Sequence, residues 1–112
     1  MKLELREHLA KLPLPATTTW PEGVWDVDVF EHGSMSMIVF APQGADHQTS
    51  HTQDEIYVVM QGSGVLELGS EPLSCRQGDV LFVPAGLEHR FIEIVDLVTW
   101  AIFYGPDGGE SA

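Results

Sequence analysis

Three histidines and one glutamate are the side chains of this 112-residue chain best suited to hold a metal ion: His47, His51, His89 and Glu55. If Asp46–His51 is extended, His47, Thr49 and His51 share one face, because side chains alternate along a strand. Thr52-Gln53-Asp54 suits a turn, and Glu55 opens the next apolar run beside Tyr57 and Val59. A hairpin of that shape brings His51 and Glu55 to one point. His89 opens a later run and shares its face with Phe91. Imidazole is a good ligand for a transition metal and a carboxylate adds anionic charge. Two histidines and a carboxylate with coordination positions to spare suit metal-assisted oxygen chemistry or hydrolysis. Taken singly, each has a plainer role: a strand histidine is more often a hydrogen-bonded core residue, and a glutamate at a strand start is usually solvated.

Other chemistries find little support. No Gly-x-Ser-x-Gly elbow is present, so a serine nucleophile has no frame. The glycines are followed by neither a helical pattern nor a lysine, so no phosphate loop is expected. Cys75 is the single cysteine. Its basic neighbour, Arg76, falls on the opposite strand face, so the thiol is expected to be structural.

The elements that must position these residues read as β-strands. Trp25, Val27 and Val29 alternate with polar Asp26 and Asp28, the pattern of a half-buried strand. Ser34–Ala41 is a second strand. Runs at Ile56–Met60, Gly64–Leu68, Val80–Val83, His89–Ile94 and Leu97–Phe103 follow, punctuated by glycine and proline. Short strands at regular spacing without helical patterns between them predict an all-β sandwich or barrel. Leu3, Leu5, Leu9 and Leu12 predict a short amphipathic helix, ended by Pro13 and Pro15. The expected organisation is an N-terminal helix or arm (1–22), a β-barrel (23–105) and a flexible tail (106–112).

Composition limits the partners. Seventeen acids against five bases give a net charge of −12. No Lys or Arg lies between Lys11 and Arg76. Nucleic acid and anionic membranes both require clustered cations, so neither is expected. No apolar run is long enough to span a bilayer, and the N-terminus lacks the apolar stretch of a signal peptide. With one cysteine, a cytoplasmic location is the expectation. Met37–Phe40 and Ile56–Met60 are apolar on both faces, which predicts that a second copy covers the outer one as a homodimer.

Two spaced motifs resemble those of the cupin superfamily. His51, three residues, Glu55, six residues and Gly62 match the back of its first motif. Gly78, five residues, Pro84-Ala85-Gly86, two residues and His89 match its second. Thr49 stands where the first histidine of a His-x-His pair belongs, Gly44 is one residue out of place, and Glu93 replaces a final asparagine. The resemblance implies a double-stranded β-helix, or jelly-roll barrel, of cupin type. It implies one divalent transition metal ion (Fe, Mn, Ni or Zn) on His51, Glu55 and His89. His47, a glutamine side chain or water would then take the place that Thr49 leaves open. A metal-dependent enzyme of oxygenase or isomerase type, acting on a small organic molecule, is the implied function, with Tyr57 donating a hydrogen bond to substrate. A non-catalytic small-molecule-binding module, its metal structural or absent, is the alternative.

Overall fold

A computed structural model describes residues 1–111. One short helix, α1 (Leu5–Leu9), precedes six strands: β1 (Asp26–His32), β2 (Met35–Phe40), β3 (Asp54–Leu68), β4 (Glu71–Arg76), β5 (Val80–Val83) and β6 (His89–Tyr104). All pairings are antiparallel, in the order β1-β2-β6-β3-β4, with β5 also on β3. No helix among the described residues is long and apolar enough to cross a membrane.

β3 and β6 are long, and they tie the two halves of the barrel together. The first half of β3 lies between β5 and the end of β6; the second half lies between β4 and the start of β6. The sequence reads each as two strands with a turn between. Instead each stays continuous and bends, with register shifts between Val59 and Val65. Gly62 (φ 74°) supplies the bend in β3, while Glu93 (φ 50°) and Asp96 (φ 48°) supply it in β6. Asparagine enters that left-handed region more readily than glutamate, a physical reason for asparagine at the position Glu93 fills. β4 was not expected. It carries Pro72 and lacks an alternating pattern, which an edge strand tolerates.

The inner face holds the main core: Phe40, Tyr57, Val59, Leu66, Cys75, Leu81, Val83, Phe91, Leu97 and Ala101. The Cys75 thiol is buried and raised above its ordinary value by that burial, so it is inert, as expected. A second cluster lies outside the sheet. Leu5, Leu9 and Leu12 of the N-terminal segment pack with Val27, Val29 and Trp100 over Val39, Ala41 and Val98. The arm therefore covers the Val39 end of the outer face. The far end stays open, with Val80 62% and Phe82 49% exposed.

This second cluster reverses β1. The Val27 and Val29 side chains, the apolar face of the expected half-buried strand, turn outward to meet the arm. Asp26 and Asp28 share the other face, opposite Phe40 and Ile38, with Asp26 half-buried and Asp28 exposed.

The C-terminal segment was expected to fray, but residues 107–110 are tied to the barrel; Ala112 lies outside the described residues. Gly108 N–H donates to Thr52 O, and Thr52 Oγ1 donates to Asp107. Asp54 is the main anchor, accepting from Ala85 N–H and Glu110 N–H, each at 2.9 Å. These two bonds hold its carboxyl below the ordinary value of 3.8, against the opposing effect of burial. A carboxylate with a depressed folded pKa contributes stability that is complete above its unfolded pKa and is lost as the pH falls through the folded one. Between about pH 5 and about pH 3, Asp54→Asn should therefore lose less melting temperature than wild type. Thermal scans across that window check it, and parallel pH profiles would contradict it.

Candidate metal centre

His51 ends the loop that leads into β3, Glu55 is the second residue of β3, and His89 is the first of β6. The Pro84-Ala85-Gly86 turn locks these together. Gly86 N–H donates to His51 O at 2.7 Å, and Ala85 N–H donates to Asp54. One donor atom from each of His51, Glu55 and His89 lies within 4.8 Å of the others. His51 Nδ1 is 3.3 Å and His89 Nε2 is 3.2 Å from the same Glu55 oxygen, Oε1. Two ligands at right angles on an ion with bonds near 2.1 Å stand about 3 Å apart, so these separations suit one ion.

The protonation pattern supports the same reading. His89 Nδ1 lies 2.9 Å from Leu87 O. A carbonyl only accepts, so Nδ1 carries the proton and neutral His89 presents a bare lone pair at Nε2. That lone pair meets Glu55 Oε1, and both atoms are buried without a hydrogen-bond partner. A cation between them, or a shared proton, removes the conflict. Burial raises the Glu55 carboxyl above its ordinary value. Burial alone would lower His89, but the Glu55 carboxylate and the Leu87 carbonyl outweigh it and raise the imidazole. His51 is lowered to about 4, first by burial and then by His89, so its imidazole is neutral at pH 7. The site fits a divalent ion by donor type, spacing and orphaned atoms.

The other expected residues fall differently. Residues 46–53 form no strand, so the alternation argument fails there, and Thr49 is exposed. His47 is not brought to the triad: its Nε2 lies 3.2 Å from Glu22 and its ring packs edge-on against Trp20. Gln53 bonds backbone carbonyls of Ser34 and Gly105. Gln48 comes nearer, accepting from the Tyr57 hydroxyl at 3.0 Å. Tyr57 is a core phenol, its pKa raised well above the ordinary value by burial and then by Glu55, so it stays protonated.

Sequence reasoning missed Asp46. Its buried carboxylate accepts from Gln48 N–H, from Gln48 Nε2 and from Phe91 N–H. It thereby ties the loop that carries His51 to the strand that carries His89. Nothing in its local sequence marks it, because its main partner lies 45 positions away.

A cavity of about 290 Å³ opens beside the triad, lined by His51, Glu55, Tyr57, Gln48, Phe40 and Phe103 among others. The family model for the cupin domain matches residues 36–97, more than half of the chain and the whole span from β2 to the middle of β6. The chain belongs to the cupin family. This cupin is 38% identical over 63 residues to an uncharacterized protein of Streptomyces coelicolor, covering 55% of this chain and 60% of that one. It is 46% identical over 46 residues to an acireductone dioxygenase of Synechococcus, covering 38% of this chain and 25% of the enzyme. The matched stretch is thus under two thirds of either relative's length. A cupin-2 domain protein of Shewanella frigidimarina shares the fold, with TM-score 0.62 at 17% identity over 71% of this chain and 79% of that one.

Proposed function

We propose that this cupin binds one divalent transition metal ion on His51, Glu55 and His89 and uses it in chemistry on a small organic molecule. The observation that carries the reading is the pair of orphaned, buried donors, Glu55 Oε1 and His89 Nε2, set 3.2 Å apart. A cation held between them satisfies both atoms. Three protein ligands leave positions for substrate, and such an ion supplies Lewis acidity or, if redox-active, a site for dioxygen. The partial likeness to an acireductone dioxygenase agrees with oxygenase chemistry, and an isomerase would use the same ligands. The remaining residues hold this arrangement. Leu87 O fixes the His89 tautomer, Asp46 fixes the His51 loop, and Gln48 orients the Tyr57 hydroxyl beside the cavity. Phe40 and Phe103 give the cavity an apolar wall.

The test is whether coordination positions are open. Cobalt-loaded protein should change its visible spectrum on adding azide, and saturate at one azide or more per ion. A spectrum indifferent to azide would contradict the catalytic reading and favour a binding module with a closed metal.

A further inference from the structure

The wall of the cavity opposite the triad is acidic. On β1, Asp26, Asp28 and Glu31 stand opposite Phe40, Ile38 and Ser36 of β2. Those residues pair onward with Thr99, Ala101 and Phe103 of β6, and these with Val59, Tyr57 and Glu55 of β3. One face thus runs from Glu55 across three strand spacings, about 14 Å along the sheet, to the carboxylates of β1. Asp26, Asp28, Glu31 and Glu55 all line the cavity, and no Lys or Arg does. The five bases of the chain lie elsewhere, at Lys2, Arg6, Lys11, Arg76 and Arg90.

Asp26 is half-buried in the cavity wall, and Asp28 and Glu31 stand exposed at its rim. Burial, and then the neighbouring Asp28, raise the Asp26 carboxyl. The arrangement is built by the fold. A register shift between Asp28 and Phe30 is what returns Glu31 to the inner side. A second feature points the same way: Glu55 Oε1, on a side chain only 1% exposed, is unpartnered at the other end of the cavity. Between the two ends the lining is aromatic, with Trp20, Phe40, Tyr57 and Phe103. Carboxylates beside aromatic faces complement an ammonium group, through charge and through the negative ring faces.

We propose that the cavity takes a small organic cation, its ammonium nitrogen at the β1 edge among Asp26, Asp28 and Glu31 and its uncharged end toward His51, Glu55 and His89. The orientation rests on the metal site proposed above; the preference for positive charge does not.

Three probes of one shape separate charge from fit: choline, its neutral isostere 3,3-dimethylbutan-1-ol, and the anion 3,3-dimethylbutanoate. Calorimetric titration of the full chain, stripped of metal, should show choline binding at least tenfold more tightly than the alcohol, with no binding of the anion. Asp26→Asn with Asp28→Asn should bring choline and alcohol within about twofold by removing the attraction, and leave the alcohol unchanged. Glu31→Gln alone should move the preference in the same direction by less, which keeps the test sound if the double variant folds poorly. Equal binding of choline and alcohol, a preference for the anion, or no binding of any probe would overturn the proposal and leave the three acids as protection of an edge strand. Metal uptake by wild type, measured separately, shows whether the metal site has failed instead.

Discussion

Glu55→Gln should raise the stability of the metal-free protein while removing its metal. The Glu55 side chain is 1% exposed, and where His89 is neutral its bare Nε2 faces Glu55 Oε1 without a hydrogen bond. An unsatisfied buried acceptor costs about 1–3 kcal/mol. The glutamine amide has the same shape and can donate to His89 Nε2, so metal-free Glu55→Gln should gain about 1–2 kcal/mol. A neutral amide is a poor ligand for a transition ion, so affinity should fall at least 100-fold, about 2.8 kcal/mol. Stability gained where function is lost is what a strained site produces. His51→Ala and His89→Ala should also lose the metal, with His89→Ala destabilising more because it empties a buried position. Thermal scans of stripped protein and chelator competition for the ion give both quantities. A lower melting temperature for metal-free Glu55→Gln would make the carboxylate a structural group and contradict the reading.

Gly62→Ala should have the largest effect on folding. A Cβ at Gly62 would lie 2.2 Å from Asp96 O and 2.3 Å from Val95 O. These are backbone atoms of the neighbouring strand, and no side chain can swing aside. The left-handed backbone at φ 74° adds roughly 1–2 kcal/mol. Together the cost should exceed about 4 kcal/mol, among the large values that mark a specific steric fault. For a domain of this size that is a drop of about 20 °C or more, or failure to accumulate folded protein. Gly33→Ala separates the two contributions. Gly33 has φ 59° and open space around the added carbon, so it should cost only about 1–2 kcal/mol. Equal losses in the two variants would mean that the close crossing of β3 and β6 at Gly62 is wrongly placed.

What the sequence makes legible follows from what is local. The spacing of His51 to Glu55, and of Pro84-Ala85-Gly86 to His89, describes one strand entry and one tight turn. Both are short-range features, and the structure brings these three side chains together. His47 is different. Its relation to the site depended on the run 46–51 being a strand, and that run is held instead by the Asp46 carboxylate against Phe91 N–H. A bond across 45 positions leaves no periodic trace. The bend in β3 was read as a turn because glycine punctuates it, and glycine marks a tight approach as readily as a chain reversal; β6 bends without glycine, at Glu93 and Asp96. On β1 the alternation of Val and Asp shows that two faces differ, without saying which is inside. That was settled by the leucines of the N-terminal arm, which form a second apolar cluster outside the sheet. The acidic cavity wall is a consequence of that distant packing.

The central claim, that His51, Glu55 and His89 hold a metal, is tested most directly by elemental analysis of protein purified without a histidine tag, beside Glu55→Gln prepared in the same way. The expected result is one transition metal ion per wild-type chain and none in the variant. Metal absent from wild type and not taken up on titration, or equal metal in both proteins, would contradict it.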